Sequence, residues 1–130
     1  MSDNPRHAHD ELRRVRYLGS ARSGTTQAWH MRLTSLALVP LTFGVVWLIV
    51  RLAGRPYADV YRVLSHPLPT LVLLLFIGAG LYHMQLGMRT IIEDYVHGAH
   101  AKESALVANL FFCIAIGAAC VYAVLRLSFV

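Results

Sequence analysis

Charge is scarce in this sequence, and three stretches have none. No Asp, Glu, Lys or Arg occurs from Leu33 to Val50, from Pro67 to Met88, or from Ser104 to Leu125. Each run is roughly 20 residues long, and at about 1.5 Å of rise per residue a helix of that length crosses the ~30 Å hydrocarbon core of a bilayer. Charged side chains make up 15% of the 130 residues and hydrophobic ones 56%, with a mean hydropathy of +0.51. A soluble enzyme, a disordered linker and a nucleic-acid module are all excluded by that distribution. The fold class expected is all-α: three transmembrane helices, with spans near 33–53, 67–88 and 104–127. They form a membrane domain over 27–130, behind a polar arm over 1–26.

Other scarcities narrow the reading. There are two cysteines, Cys113 and Cys120, both in the third span. Seven residues apart, they share a helical face but are too far apart to bridge, so they read as small packing residues. The first 30 residues hold no apolar run long enough for a secretory leader, so none is expected. No internal repeat or low-complexity segment is present. Of the five prolines, Pro40 lies inside span one, where a bend is expected, and Pro67 and Pro69 open span two, where the first turn tolerates them. Gly54 to His66 is expected to be a short loop, and His97 to Glu103 a second.

Acids are fewer than bases, seven against twelve, for a net charge of +5. The bases flank the apolar spans and do not interleave with aromatics on a polar surface, so they set orientation and do not mark a nucleic-acid site. With the N-terminus inside, eight bases fall on the inner side and four on the outer. The expectation is therefore a multi-pass membrane protein with its N-terminus inside and its C-terminus outside.

Of seven histidines, His83 is the one expected at membrane depth, where an ionisable group is costly and faces the bundle interior. Gly80 and Gly87 share its helical face and leave a slot for something flat. Taken alone, the pattern favours a neutral histidine bonded to a neighbouring helix over haem ligation. Asp94 follows eleven residues later, nearly on the same face and about 16 Å along the axis. With Tyr95 it stands at the inner membrane edge, where the two could bind and protonate a lipid-soluble carbonyl compound. The plainer alternative is an interfacial anchor at a solvated helix end. Arg32 either snorkels to phospholipid or faces a propionate or other acid. Gln85 and Asn109 are expected to form hydrogen bonds between helices. If haem is bound, one deep histidine makes this chain half of a site, and another chain must supply the second ligand.

The run His83-Met84-Gln85-Leu86-Gly87-Met88, with Ile91-Ile92-Glu93-Asp94-Tyr95-Val96-His97 after it, closely resembles the second-span signature of the hydrophobic membrane-anchor subunit of bacterial succinate dehydrogenase, complex II, especially its alphaproteobacterial members. Gly19 to Thr25 and Arg32 to Leu41 resemble the family's approach to span one, whereas Gln27 to Met31 departs from its aromatic-rich run. The resemblance implies a subunit that binds no succinate itself. It implies a flavoprotein, an iron–sulfur subunit and a cytochrome b membrane subunit as partners, and a haem b and a ubiquinone site shared within the membrane. Carried onto this sequence, His83 is an axial haem ligand and Tyr95 donates a hydrogen bond to a quinone carbonyl. Asp94 supports the quinone site or its proton supply, and Arg32 lies near the haem propionates or the quinone. The alternative class is a non-redox three-span assembly or transporter accessory subunit.

Overall fold

The computed structural model describes residues 22–129. Residues 1–21 of the expected polar arm, and the start of the resemblance at Gly19, lie outside the described residues. Four helices follow in order: α1 (Arg22–Leu52), α2 (Tyr57–Leu64), α3 (Pro67–Tyr95) and α4 (Ala99–Phe129). No strand occurs among the described residues. Three helices, α1, α3 and α4, are long and apolar enough to cross a membrane.

Each of these three is 29 to 31 residues long, or about 45 Å at 1.5 Å per residue, some 15 Å more than a hydrocarbon core. The excess lies at one end. There α1 begins with the polar run Arg22 to Gln27, α3 ends in Arg89 to Tyr95, and α4 begins with Ala99 to Glu103. Helix α1 therefore starts inside what the sequence suggests is the arm. The second loop shortens to Val96 to Gly98, because α4 starts at Ala99. Lys102 ties this end together by donating from Nζ to the Glu93 carbonyl at 2.7 Å.

At the opposite end the segment 54–66, expected to be a loop, contains α2. The physical reason is helical spacing. Val60, Tyr61 and Leu64 are half-buried while Tyr57 and Arg62 are exposed, so one side of this short turn packs on the ends of α3 and α4. Gly54 makes the entrance to it, with a φ of 75° that a glycine adopts without strain as α1 ends. Thr70 anchors the exit. It is buried, and its Oγ1 lies 2.8 Å from the Leu64 carbonyl oxygen and 2.9 Å from that of His66. Pro40 lies within α1, which continues as helix on both sides of it.

Helix α3 is central. It packs against α1 on one side and α4 on the other, while α1 and α4 barely touch. Little of this surface is internal: among the described apolar residues only Leu48, Leu86, Ile92 and Cys113 are buried. In lipid, burial does not drive helices together, so close approach and polar contacts between helices must define the packing. At Gly44 a Cβ would meet Val72 at 3.4 Å, and at Gly117 it would meet Leu81 at 3.1 Å. Those two glycines set the approach of α1 and of α4 to α3.

Candidate functional site

Helices α1 and α3 run antiparallel, and their halves nearest Arg22 and Tyr95 are joined by polar side chains. Gln27 donates from Nε2 to Thr90 Oγ1 at 3.2 Å. His30 Nδ1 and the Tyr82 hydroxyl are 2.8 Å apart, with the two rings edge-on at 5.9 Å between centroids. Deeper in, His83 Nδ1 lies 3.0 Å from Thr34 Oγ1. His83 is half-buried, and Nε2 has no hydrogen bond among the described residues. No buried side-chain nitrogen or oxygen of those residues lacks a partner. Nε2 therefore opens on the surface of this chain.

Of the two glycines beside His83, Gly80 meets Leu38 at 3.9 Å from a virtual Cβ, whereas nothing lies within 4 Å of one at Gly87. The expected slot is thus open on the Gly87 side and filled by α1 on the Gly80 side. Arg32 follows His30 by two residues and precedes Thr34 by two, about 200° of helix turn away from each. It is exposed and does not join the His83 cluster.

Asp94 and Tyr95 end α3, both exposed, Tyr95 by 77%. A carboxylate in the last turn of a helix opposes the negative end of the helix dipole, typically by about 0.3–1 kcal/mol. Glu93 is compensated by Arg89, whose Nε is 2.7 Å from Glu93 Oε1. Asp94 has no ion-pair partner among the described residues. It sits in an unfavourable place with no offsetting charge paired to it among the described residues.

The seam of α3 with α4 differs in chemistry. Asn109 is buried and donates from Nδ2 to the Gln85 carbonyl at 3.1 Å. Cys113, also buried, donates from Sγ to Asn109 Oδ1 at 3.8 Å. Cys113 and Cys120 are both free thiols. An open groove of about 290 Å³ runs along this seam, lined by Leu81, Tyr82, Gln85, Leu110, Cys113 and Ile114. It holds no histidine or carboxylate, and it lies on the far side of α3 from His83. Of the described residues, no group of three or more His, Cys, Asp or Glu side chains could hold a metal ion.

The sequence pattern singled out His83 but not its partner Thr34, nor the pairing of His30 with Tyr82. His30 and Thr34 had signals available, since they stand four residues apart on one helical face. The early start of α1 hid His30 from a count of membrane histidines.

The chain as a whole is similar to known membrane proteins. The family described as succinate dehydrogenase/fumarate reductase transmembrane subunit matches residues 6–124. The chain belongs to that family. A succinate dehydrogenase hydrophobic membrane anchor subunit from Paracoccus denitrificans is 33% identical over 111 residues, covering 85% of each chain. Proteins of the same description from Rickettsia conorii and Rickettsia bellii are 30% and 29% identical, each covering 80% of this chain and 83% of their own. No solved structure matches the chain. As a transmembrane subunit of this family, it is a multi-pass membrane protein.

Proposed function

We propose that the chain is the membrane-anchoring subunit of a bacterial succinate dehydrogenase. In this reading it supplies one axial ligand, His83, to a haem b shared with a cytochrome b membrane subunit. It also supplies Tyr95 and Asp94 to a ubiquinone site. The observation that carries the reading is His83 itself: an imidazole at membrane depth, held by one nitrogen to α1 and presenting the other to the outside of the chain. The residues present fit half of a haem site. One imidazole offers one ligand, and the open space at Gly87 lets a flat ring lie against α3. Bound there, haem supplies a one-electron relay within the membrane.

The chain's own residues do the rest. The Tyr95 hydroxyl donates to a quinone carbonyl at the inner membrane edge, which a headgroup reaches from the bilayer. Asp94, without an ion-pair partner among the described residues, takes up and passes on protons or orients the site. Arg32 points out of the chain, so its anionic partner, a haem propionate or the quinone region, comes from outside. An iron–sulfur subunit and a flavoprotein dock on the polar helix ends of the cytoplasmic side, and succinate is oxidised in the flavoprotein. The eight-to-four distribution of bases supports the N-terminus facing those partners, with the C-terminus in the periplasm of a bacterial inner membrane.

Purification of the tagged chain from membranes tests the reading. A flavoprotein should co-purify, and the reduced-minus-oxidised spectrum should carry a b-type band. Recovery without a flavoprotein and without that band would return the chain to a non-redox accessory role.

A further inference from the structure

We propose that Thr34 is the positioning residue of the haem ligand: its hydroxyl accepts the Nδ1 proton of His83, which leaves the lone pair of Nε2 for iron. The inference rests on the reading of His83 as an axial ligand and adds the group that sets its tautomer and ring plane.

The argument is a count of protons. A threonine hydroxyl has one proton to give and lone pairs to accept with. Thr34 Oγ1 lies 2.9 Å from the His30 carbonyl oxygen, 3.0 Å from the Met31 carbonyl oxygen and 3.0 Å from His83 Nδ1. Carbonyl oxygens only accept. A hydroxyl proton turned toward Nδ1 would leave Oγ1 facing two carbonyl oxygens at contact distance with no proton between them. Turned toward the carbonyls, it offers Nδ1 a lone pair, and Nδ1 must then carry the ring's proton. Neutral imidazole has one N–H, so Nε2 is unprotonated.

Three further features agree. Nε2 has no partner among the described residues, and it opens on the chain's surface. Thr34 is β-branched and bonded back to its own helix, so its hydroxyl is fixed before haem binds. The Nδ1 bond spans two helices, so it fixes the ring plane relative to both α1 and α3. Metal-bound histidines are commonly held by such a bond through their second nitrogen, and losing it typically costs about 10–100-fold in metal affinity. A bond that draws on the Nδ1 proton also makes the ring a stronger electron donor, which favours the oxidised iron.

The test uses the assembled complex in membranes, with three variants of this chain. Thr34→Val keeps the shape and β-branching and deletes the acceptor; Thr34→Ser keeps the acceptor; His83→Ala is the reference. Thr34→Val should lower haem retention through purification by about 10–100-fold in affinity. It should also shift the low-spin electron paramagnetic resonance signal and move the haem midpoint potential upward. Thr34→Ser should leave all three near wild type. Wild-type signal, potential and haem content in Thr34→Val would overturn the inference, and so would an equal shift in the serine variant. Should valine prevent assembly, Thr34→Ala, which removes the acceptor without bulk, is read by the same criteria. If His83→Ala keeps the low-spin spectrum, the ligand assignment itself fails. If His83→Ala loses it while the Thr34 variants stay silent, only the role of Thr34 fails.

Discussion

Helix α3 has two seams, and they are built differently. Toward α1 it presents Thr90, His83 and Tyr82, each bonded to a polar side chain of α1. Toward α4 it presents Leu81 against Gly117, and a backbone carbonyl, that of Gln85, to Asn109. The α4 seam satisfies its polar groups within the chain and is closed in that sense, although an apolar groove runs along it. The α1 seam leaves an imidazole nitrogen open. In a membrane, where apolar faces gain nothing by meeting each other, a polar seam that is not closed marks the side where a further component belongs.

The largest expected effect falls on the open side. His83→Ala should abolish the low-spin b spectrum of an otherwise assembled complex, with electron transfer surviving in part if quinone draws directly on the iron–sulfur relay. An unchanged spectrum would make the two seams equivalent and the histidine a packing residue.

Next is the inner edge. Tyr95→Phe deletes only a hydroxyl, and loss of one hydrogen bond to quinone should cost about 1–3 kcal/mol, or about tenfold to a hundredfold in ubiquinone reduction. Succinate oxidation measured with a dye reduced upstream should stay at the wild-type rate. Equal rates with both acceptors would make Tyr95 an interfacial anchor.

The closed seam should answer in stability rather than in spectrum. Gly117→Leu forces bulk into a gap where even a Cβ stands 3.1 Å from Leu81, at a cost of about 1–3 kcal/mol. Thermal release of the anchor from the complex should come earlier, with the haem signal of the surviving complex unaltered. A shifted haem signal would show that the seams are coupled.

Asp94→Asn has two effects of opposite sign. It removes a charge that opposes the helix dipole, which should stabilise the end of α3 by about 0.3–1 kcal/mol. It also removes the carboxylate proposed to carry protons at the quinone, so on that reading ubiquinone reduction should fall while anchoring improves. Improved anchoring with undiminished activity would leave Asp94 without a role at the quinone. The smallest effect is expected from Asn109→Leu, since single hydrogen bonds between membrane helices average about 0.6 kcal/mol. Wild-type activity with slightly lower heat resistance is the outcome that supports a purely structural seam.

Much of the fold was legible because the bilayer demands apolar length, and three uncharged runs announce it. The polar end of each helix was less legible. Hydropathy falls off at Gln27 and again at Arg89, yet both segments stay helical, since helices continue past the membrane wherever neighbours pack on them. The helix over 57–64 was hidden because its apolar residues, Val60, Tyr61 and Leu64, are too few to give a period by themselves. They become a face once α3 and α4 offer something to lie on.

The sequence by itself determined the number of spans, the one deep histidine of span two, its glycine neighbours and the Asp94–Tyr95 pair about three turns further on. These follow from hydropathy and helical periodicity, which are local. Only the tertiary structure decided which residues meet across helices. Thr34 reaches His83 from 49 residues away, His30 reaches Tyr82 from 52, and Arg32, between them in sequence, turns outward. No spacing along a single helix carries that information, because it depends on how α1 lies against α3, which come close at Gly44, where a Cβ would stand 3.4 Å from Val72.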